Sequence, residues 1–267
     1  SSLSFLQPQS AFSLQIEYVD GGQQVIFSSS SFLIGMVRVA SSAWNGPERK
    51  GVFRNEFMVL IRPENTRYAI TFHDNTGDEI TPFENDFFRK KHRLATGSYE
   101  LEDVLGIVRR NAELSFARER AQVVAGVCMD GSLRTFQDCE YSIMQELQEV
   151  CKKNETILAG LQKTTSVLTD SGESLYSLSD YAPEGVWMSG VLCENTNPHH
   201  ASEIRAVKLH EKARHVFVID VVDGKAAQLL LDNLSRNACD PVFLGYPYGL
   251  VDADRLARIE EFEREHF

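Results

Sequence analysis

An unbroken apolar run that ends in an acid most constrains how this chain can fold. Every residue from Val123 to Met129 is apolar or glycine, and Asp130 follows directly. A short run without polar alternation predicts a fully buried strand. Gly131 and Ser132 then supply turn chemistry. A carboxylate at the carboxyl end of a buried strand in an α/β sheet sits in the functional crevice. What the chain can do therefore depends on whether other acids are placed to join Asp130.

The chain opens with an expected antiparallel meander. Leu14 to Asp20 alternates apolar and polar residues, Gly21-Gly22 reads as a hairpin turn, and Gln23 to Phe27 reads as the return strand. Phe32 to Ala40 is a third strand, and Trp44 to Asn55 reads as loop around Gly46-Pro47. Glu56 to Arg62 and Arg67 to His73 flank the turn residues Pro63-Glu-Asn-Thr66. Pro82 to Arg93 reads as a short amphipathic helix. A long helix follows from Tyr99 to Arg120, with Ser98 as its N-cap. Its apolar stripe is Leu101, Leu105, Val108, Ala112 and Phe116.

Beyond the Asp130 strand, Cys139 to Lys153 reads as helix and Glu155 to Lys163 as strand. Gly172 to Tyr181 reads as a short helix or loop, Gly185 to Leu192 as strand, and Asn195 to Ser202 as a polar segment. A strand pair, Ile204 to His210 and His215 to Val221, precedes a helix over Ala226 to Ser235. Val242 to Leu244 reads as a short strand and Gly249 to His266 as a closing helix. Strand pairs followed by helix–strand alternation predict one mixed α/β domain.

The 38 acidic residues outnumber the 27 basic ones, giving a net charge of −11. Such a chain does not bind nucleic acid by bulk electrostatics. Action on nucleic acid would need a local basic channel, a bound metal, or a partner that grips the strand. The five cysteines, Cys128, Cys139, Cys151, Cys193 and Cys239, are odd in number and lack Cys-x-x-Cys spacing. They read as reduced, buried thiols, neither disulfides nor a zinc site. No apolar run approaches the ~20 residues that span a bilayer, and no secretory signal is visible, so a cytoplasmic protein is expected. The start at Ser1-Ser2-Leu3-Ser4 without Met predicts trimmed ends.

The acids form a set. Asp20 and Asp130 each end an apolar strand and are each followed by Gly. Glu113 falls on the flank of the long helix's stripe, and Asp254 lies one turn after Leu250 on the closing helix. Carboxylates brought together repel unless a cation neutralises them. Mn2+ and Mg2+ accept such oxygen ligands. From pattern alone, the Asp-Gly turn is the favoured reading of Asp20 and Asp130, and the solvated helix face that of Glu113 and Asp254.

These residues resemble the NurA nuclease domain, which has an RNase H-like fold. Val19-Asp20-Gly21-Gly22, Glu113 and Met129-Asp130-Gly131-Ser132-Leu133 match the family's acidic elements in order. Gly160-Leu-Gln-Lys163-Thr-Thr resembles its lysine-bearing strand, and Val207-Lys208-Leu209-His210 with Val216-Phe-Val-Ile-Asp220 its late strand pair. Leu244-Gly-Tyr246-Pro-Tyr248 followed by Ala253-Asp254 resembles its ending, except that Asp254 stands where the family has histidine.

The resemblance implies a fold and a function. The fold would be an RNase H-like mixed sheet flanked by helices, with additional strand pairs and a C-terminal helix. It would form a single domain over 1–267 with an inserted segment over about 41–97. The function would be that of a metal-dependent DNA nuclease, a 5′–3′ exonuclease and single-strand endonuclease. It would act as a homodimer with a HerA-type hexameric ATPase, in DNA end processing or antiphage defence. Asp20, Glu113, Asp130 and Asp254 would hold Mn2+ or Mg2+, with Asp20 bridging two ions. Two ions so held activate a water and stabilise the leaving oxygen. Lys163 would neutralise phosphate charge, and Tyr246 would stack a base or hydrogen-bond a phosphate.

Other readings stand beside this one. Lys163 is also an ordinary surface lysine, and Tyr246 a packed structural tyrosine. Asp254 in place of histidine also fits a catalytically impaired NurA-like interaction subunit of the same ATPase complex. A third option is an RNase H-like strand-transferase or an RNA-directed nuclease. Arg89-Lys-Lys-His-Arg93 and Arg109-Arg110 are candidate phosphate contacts or plain solvated helix faces. His199-His200 lacks zinc-like partners. Neither a phosphate-cradling glycine loop nor a Gly-x-Ser-x-Gly elbow is present.

Overall fold

The structure is a computed structural model that describes residues 4–9, 13–90, 92–97, 99–163, 175–195 and 201–260. Its strands in chain order are β1 (Phe5–Leu6), β2 (Gln15–Ser28), β3 (Leu33–Asn45), β4 (Glu48–Glu64), β5 (Arg67–His73), β6 (His92–Ala95), β7 (Gly126–Asp130), β8 (Ile157–Gln162), β9 (Trp187–Ser189), β10 (Cys193–Asn195), β11 (Ser202–Lys208) and β12 (Phe217–Val221). The α-helices are α1 (Asp86–Arg89), α2 (Leu101–Arg120), α3 (Asp138–Asn154), α4 (Ala227–Asn237) and α5 (Tyr248–Ala257). Ser98, Thr164-Thr165, His199-His200, the start of the Gly172 segment and the tail of the closing helix lie outside the described residues.

The strands form one sheet in the order β1-β9-β11-β12-β8-β7-β2-β3-β4-β5-β6, with β10 paired to β11. β7 runs parallel to both neighbours, β2 and β8, and every other pairing is antiparallel. The run ending in Asp130 is thus a central strand. Alternate residues enter opposite cores. Val127 and Met129 join the core under α2 and α3, while Cys128 joins the core under α4 and α5. No helix among the described residues is long and apolar enough to cross a membrane.

Several sequence expectations are corrected. Gly21-Gly22 is no hairpin turn, because β2 runs straight through it while pairing with β3. Neither glycine takes a positive φ; both are required by close approach. A Cβ on Gly21 would stand 2.6 Å from Glu113 Oε1, and one on Gly22 would collide with the Ala257 carbonyl oxygen. The expected loop over Trp44 to Asn55 is the tight β3–β4 hairpin, turning at Gly46 with φ 57°. The expected strand from Val123 begins only at Gly126, and Val123 is exposed.

Three further differences are local. Helix within Pro82 to Arg93 shrinks to α1, capped by the Asn85 side chain, and β6 follows. Gly185 to Leu192 yields only β9, and Val242 to Leu244 is no strand. α2 starts after Glu100, whose backbone N–H donates to Asp103 Oδ2 at 3.0 Å. All five thiols are free, but Cys193 and Cys239 are exposed, against the expectation that they are buried. The stretch 41–97 extends the same sheet with the end of β3, then β4, β5 and β6.

Candidate functional site

The site forms where parallel pairing stops. Val19 pairs with Met129, the last such pair between β2 and β7, so Asp20 and Asp130 follow side by side. β7 continues one step further against β8, with Asp130 opposite Leu161, and Lys163 lies just past the end of β8. Asp20, Asp130 and Lys163 share the side-chain parity of Tyr18, Cys128 and Leu161, whose side chains enter the core beneath α4 and α5.

Lys163 Nζ donates to Asp130 Oδ2 at 2.6 Å, and the Tyr246 hydroxyl donates to Asp130 Oδ1 at 3.3 Å. The ammonium also stands 5.3 Å from the Tyr246 ring centroid. Tyr246 arrives on a turn made possible by Gly245, whose φ is 89°, just before α5 begins. Burial, then the Asp130 charge, pushes the Tyr246 hydroxyl well above its ordinary range, so it acts as a donor. Burial pulls the Lys163 ammonium down, but the Asp130 hydrogen bond and the charges of Asp130, Asp20 and Asp254 carry it above its usual value.

Glu113 enters from α2 and is 3% exposed. Its carboxylate accepts from Arg109, one turn earlier, and from Arg110 Nη1 at 3.0 Å. Arg109 also donates to the Gly21 carbonyl at 3.3 Å, and Arg110 Nη2 to the Ser132 carbonyl at 2.7 Å. These two arginines, expected only as phosphate contacts or solvated positions, thus hold Glu113 against both acidic strands. Asp254 sits on α5, partly exposed, and accepts from Arg258 Nη2 at 3.1 Å.

Asp20 makes no ion pair among the described residues, where its hydrogen-bond donor is the Gly21 N–H at 2.7 Å. Burial, with the charges of Glu113 and Asp130, pushes its carboxyl up to about 7. An all-carboxylate donor set with one unneutralised acid suits a hard divalent cation. In the observed rotamers, no three acid, histidine or cysteine side chains among the described residues stand close enough to hold one. Glu113 is turned to its arginines and Asp130 to Lys163.

Asp220, unremarked in the sequence beyond its strand, is a further buried acid at 1% exposure. It accepts from Ser132 Oγ at 2.9 Å, Leu133 N at 2.8 Å and Gln162 Nε2 at 3.2 Å. Its signal in the sequence was a lone acid inside the apolar run Val216 to Val221.

No described protein family matches the sequence, and no curated protein is significantly similar to it. Solved structures are similar. The crystal structure of the NurA nuclease from Sulfolobus solfataricus superposes with a TM-score of 0.65 at 14% identity, covering 98% of this chain and 84% of that one. Human endonuclease V gives 0.45 at 12% identity, covering 92% and 83%. Endonuclease V from Ciona intestinalis, in complex with a DNA containing an inosine followed by a ribo-adenosine, gives 0.44 at 10%, covering 92% and 85%. The mixed sheet, its three-strand parallel centre and its flanking helices give this chain the RNase H-like fold of the NurA nuclease.

Proposed function

We propose that this protein is a divalent-metal-dependent DNA nuclease that hydrolyses phosphodiester bonds. The observation that carries the reading is the coupling of Asp20 to Glu113 and Asp130, where the parallel pairing of β2 with β7 stops. Two carboxylates repel the charge of a third, Asp20, and a cation would relieve that repulsion. Asp20, Glu113 and Asp130 would hold Mn2+ or Mg2+, with Asp254 as a fourth ligand in place of the family's histidine. A bound pair of such ions supplies water activation and leaving-group stabilisation. Lys163 and Tyr246 donate to Asp130 and in this reading would orient it and meet a phosphate. Arg109 and Arg110 hold Glu113 close to Gly21.

The net charge of −11 favours a division of labour in which another protein grips the DNA. A HerA-type hexameric ATPase is the partner in this reading, with the nuclease as a homodimer. It would act as a 5′–3′ exonuclease and single-strand endonuclease, in end processing or antiphage defence. The test is cleavage of labelled single-stranded and duplex DNA with Mn2+, Mg2+ or EDTA, with and without the ATPase. Asp130→Ala should reduce metal-dependent cleavage by more than about 100-fold, beyond the loss of an outer-shell partner. Absence of metal-dependent cleavage by the wild type both with and without the ATPase overturns the reading. Full activity of Asp130→Ala overturns the site. Asp254, ion-paired to Arg258 on α5, favours one alternative, a catalytically impaired interaction subunit. That alternative requires binding to the ATPase without cleavage.

A further inference from the structure

Asp220 stands behind the acidic site, on the other side of the sheet from the Asp130 and Lys163 side chains. It lies on β12 opposite Gly160 of β8. Residues of that parity on β7 and β8, Met129 and Leu158, belong to the core under α2 and α3. The segment after Asp130 crosses β8 to reach Asp220, and Gly160 makes the crossing possible. A Cβ at Gly160 would stand 2.6 Å from the Gly131 carbonyl oxygen and 3.0 Å from Leu133 Cγ. The crossing is pinned by Gly131 N donating to the Leu161 carbonyl at 2.8 Å.

One carboxylate then collects three donors. Oδ2 takes the Ser132 hydroxyl and the Leu133 N–H, and Oδ1 takes the Gln162 side-chain amide. Two of these donors lie two and three residues after Asp130, and the third directly precedes Lys163. The Ser132 carbonyl in turn receives Arg110 Nη2, which shares its guanidinium with Glu113. Three carriers of the site, Asp130, Lys163 and Glu113, are therefore referred to one buried group that touches none of them.

We propose that Asp220 is the positioning residue of the acidic site, clamping the Asp-Gly-Ser-Leu loop and the end of β8 so that Asp130, Lys163 and Glu113 keep one mutual geometry. This rests on the proposed nuclease function. Partners that orient metal ligands from outside are worth about 10–100-fold in affinity or activity. Asp220→Ala should lower kcat about 30-fold and weaken Mn2+ binding about 10-fold, with the KM for DNA within about threefold of wild type. Asp220→Asn keeps an oxygen for Ser132 and Leu133 and should recover kcat to within about fivefold.

The experiment measures kcat and KM on labelled DNA, Mn2+ binding by calorimetry with the metal alone, and thermal unfolding. Asp130→Ala serves as the reference. Gly160→Ala, which pushes the loop off β8 without touching Asp220, should reproduce the kcat loss and carries the test if Asp220→Ala does not fold. A folded Asp220→Ala, or in its place a folded Gly160→Ala, with wild-type kcat and Mn2+ affinity overturns the proposal. So does a loss confined to KM or to unfolding temperature. Full cleavage by Asp130→Ala removes the site itself, and a wild type that neither cleaves DNA nor binds Mn2+ removes the nuclease reading and this proposal with it.

Discussion

Lys163 Nζ lies 2.6 Å from Asp130 Oδ2, joining the ends of two parallel central strands. The ammonium sits among Asp20, Asp130 and Asp254, so it competes with any cation those acids would bind. Lys163→Met should separate two roles. Mn2+ should bind several-fold tighter, because a competing charge is gone. Cleavage should fall about 100-fold, the scale for removing one donor from a developing charge. Calorimetry and single-turnover cleavage measure the two effects. Parallel losses in both would show that Lys163 only holds Asp130 in place.

Asp20 predicts a pH dependence of opposite sign to that of an ordinary acid. Burial first, then the Glu113 and Asp130 charges, raise its carboxyl from the ordinary 3.8 to about 7, so the folded protein holds this proton more tightly than the unfolded chain. Its contribution to stability is therefore present below pH 4 and is lost as pH rises to about 7. Asp20→Asn should raise the metal-free unfolding temperature at pH 8 by the equivalent of roughly 2–4 kcal/mol, and barely at pH 4. Thermal scans in EDTA at both pH values test this. Mn2+ binding should also tighten as pH rises through 7, because the metal displaces that proton.

Gly21 and Gly22 should respond differently to alanine. At Gly22 the added Cβ meets backbone, the Ala257 carbonyl at the end of α5. Gly22→Ala should cost about 1–3 kcal/mol, since a helix end must move. At Gly21 the Cβ meets a side chain instead of backbone, Glu113 through its Oε1 and Cγ, and displaces the carboxylate from its arginines. Gly21→Ala should lose less stability and more activity. Urea midpoints beside cleavage rates distinguish the two, and equal stability losses would refute the distinction.

Glu17, three residues before Asp20 on β2 and on the opposite face of the sheet, offers a control. It is fully buried and takes two hydrogen bonds from Arg120, at 2.7 and 2.8 Å, and one from Ser41 Oγ at 2.9 Å. Glu17→Gln leaves Arg120 without its countercharge and should destabilise by about 3–5 kcal/mol. The specific activity of the folded fraction should not change. Denaturant unfolding and cleavage at low temperature check both parts.

The sequence alone determined the elements whose patterning is local. The half of the apolar run nearest Asp130, from Gly126, is buried in the central strand β7, although Val123 ahead of it is exposed. The stripe from Leu101 to Phe116 had to form one face of a helix, and α2 buries Leu105, Val108, Ala112 and Phe116. Other features depended on residues far away in the chain. Gly21-Gly22 carries the same local turn signal whether or not a helix lies against it. Only the packing of Glu113 and Ala257 makes it a pair of notches inside a straight strand. Asp220 read as one acid in an apolar strand, and only the crossing of the Ser132–Leu133 segment over Gly160 shows what it holds. Hydrophobic periodicity is written into neighbouring residues and so can be read from them. Close approach and charge coupling arise between residues a hundred positions apart, and only the tertiary structure brings those residues together.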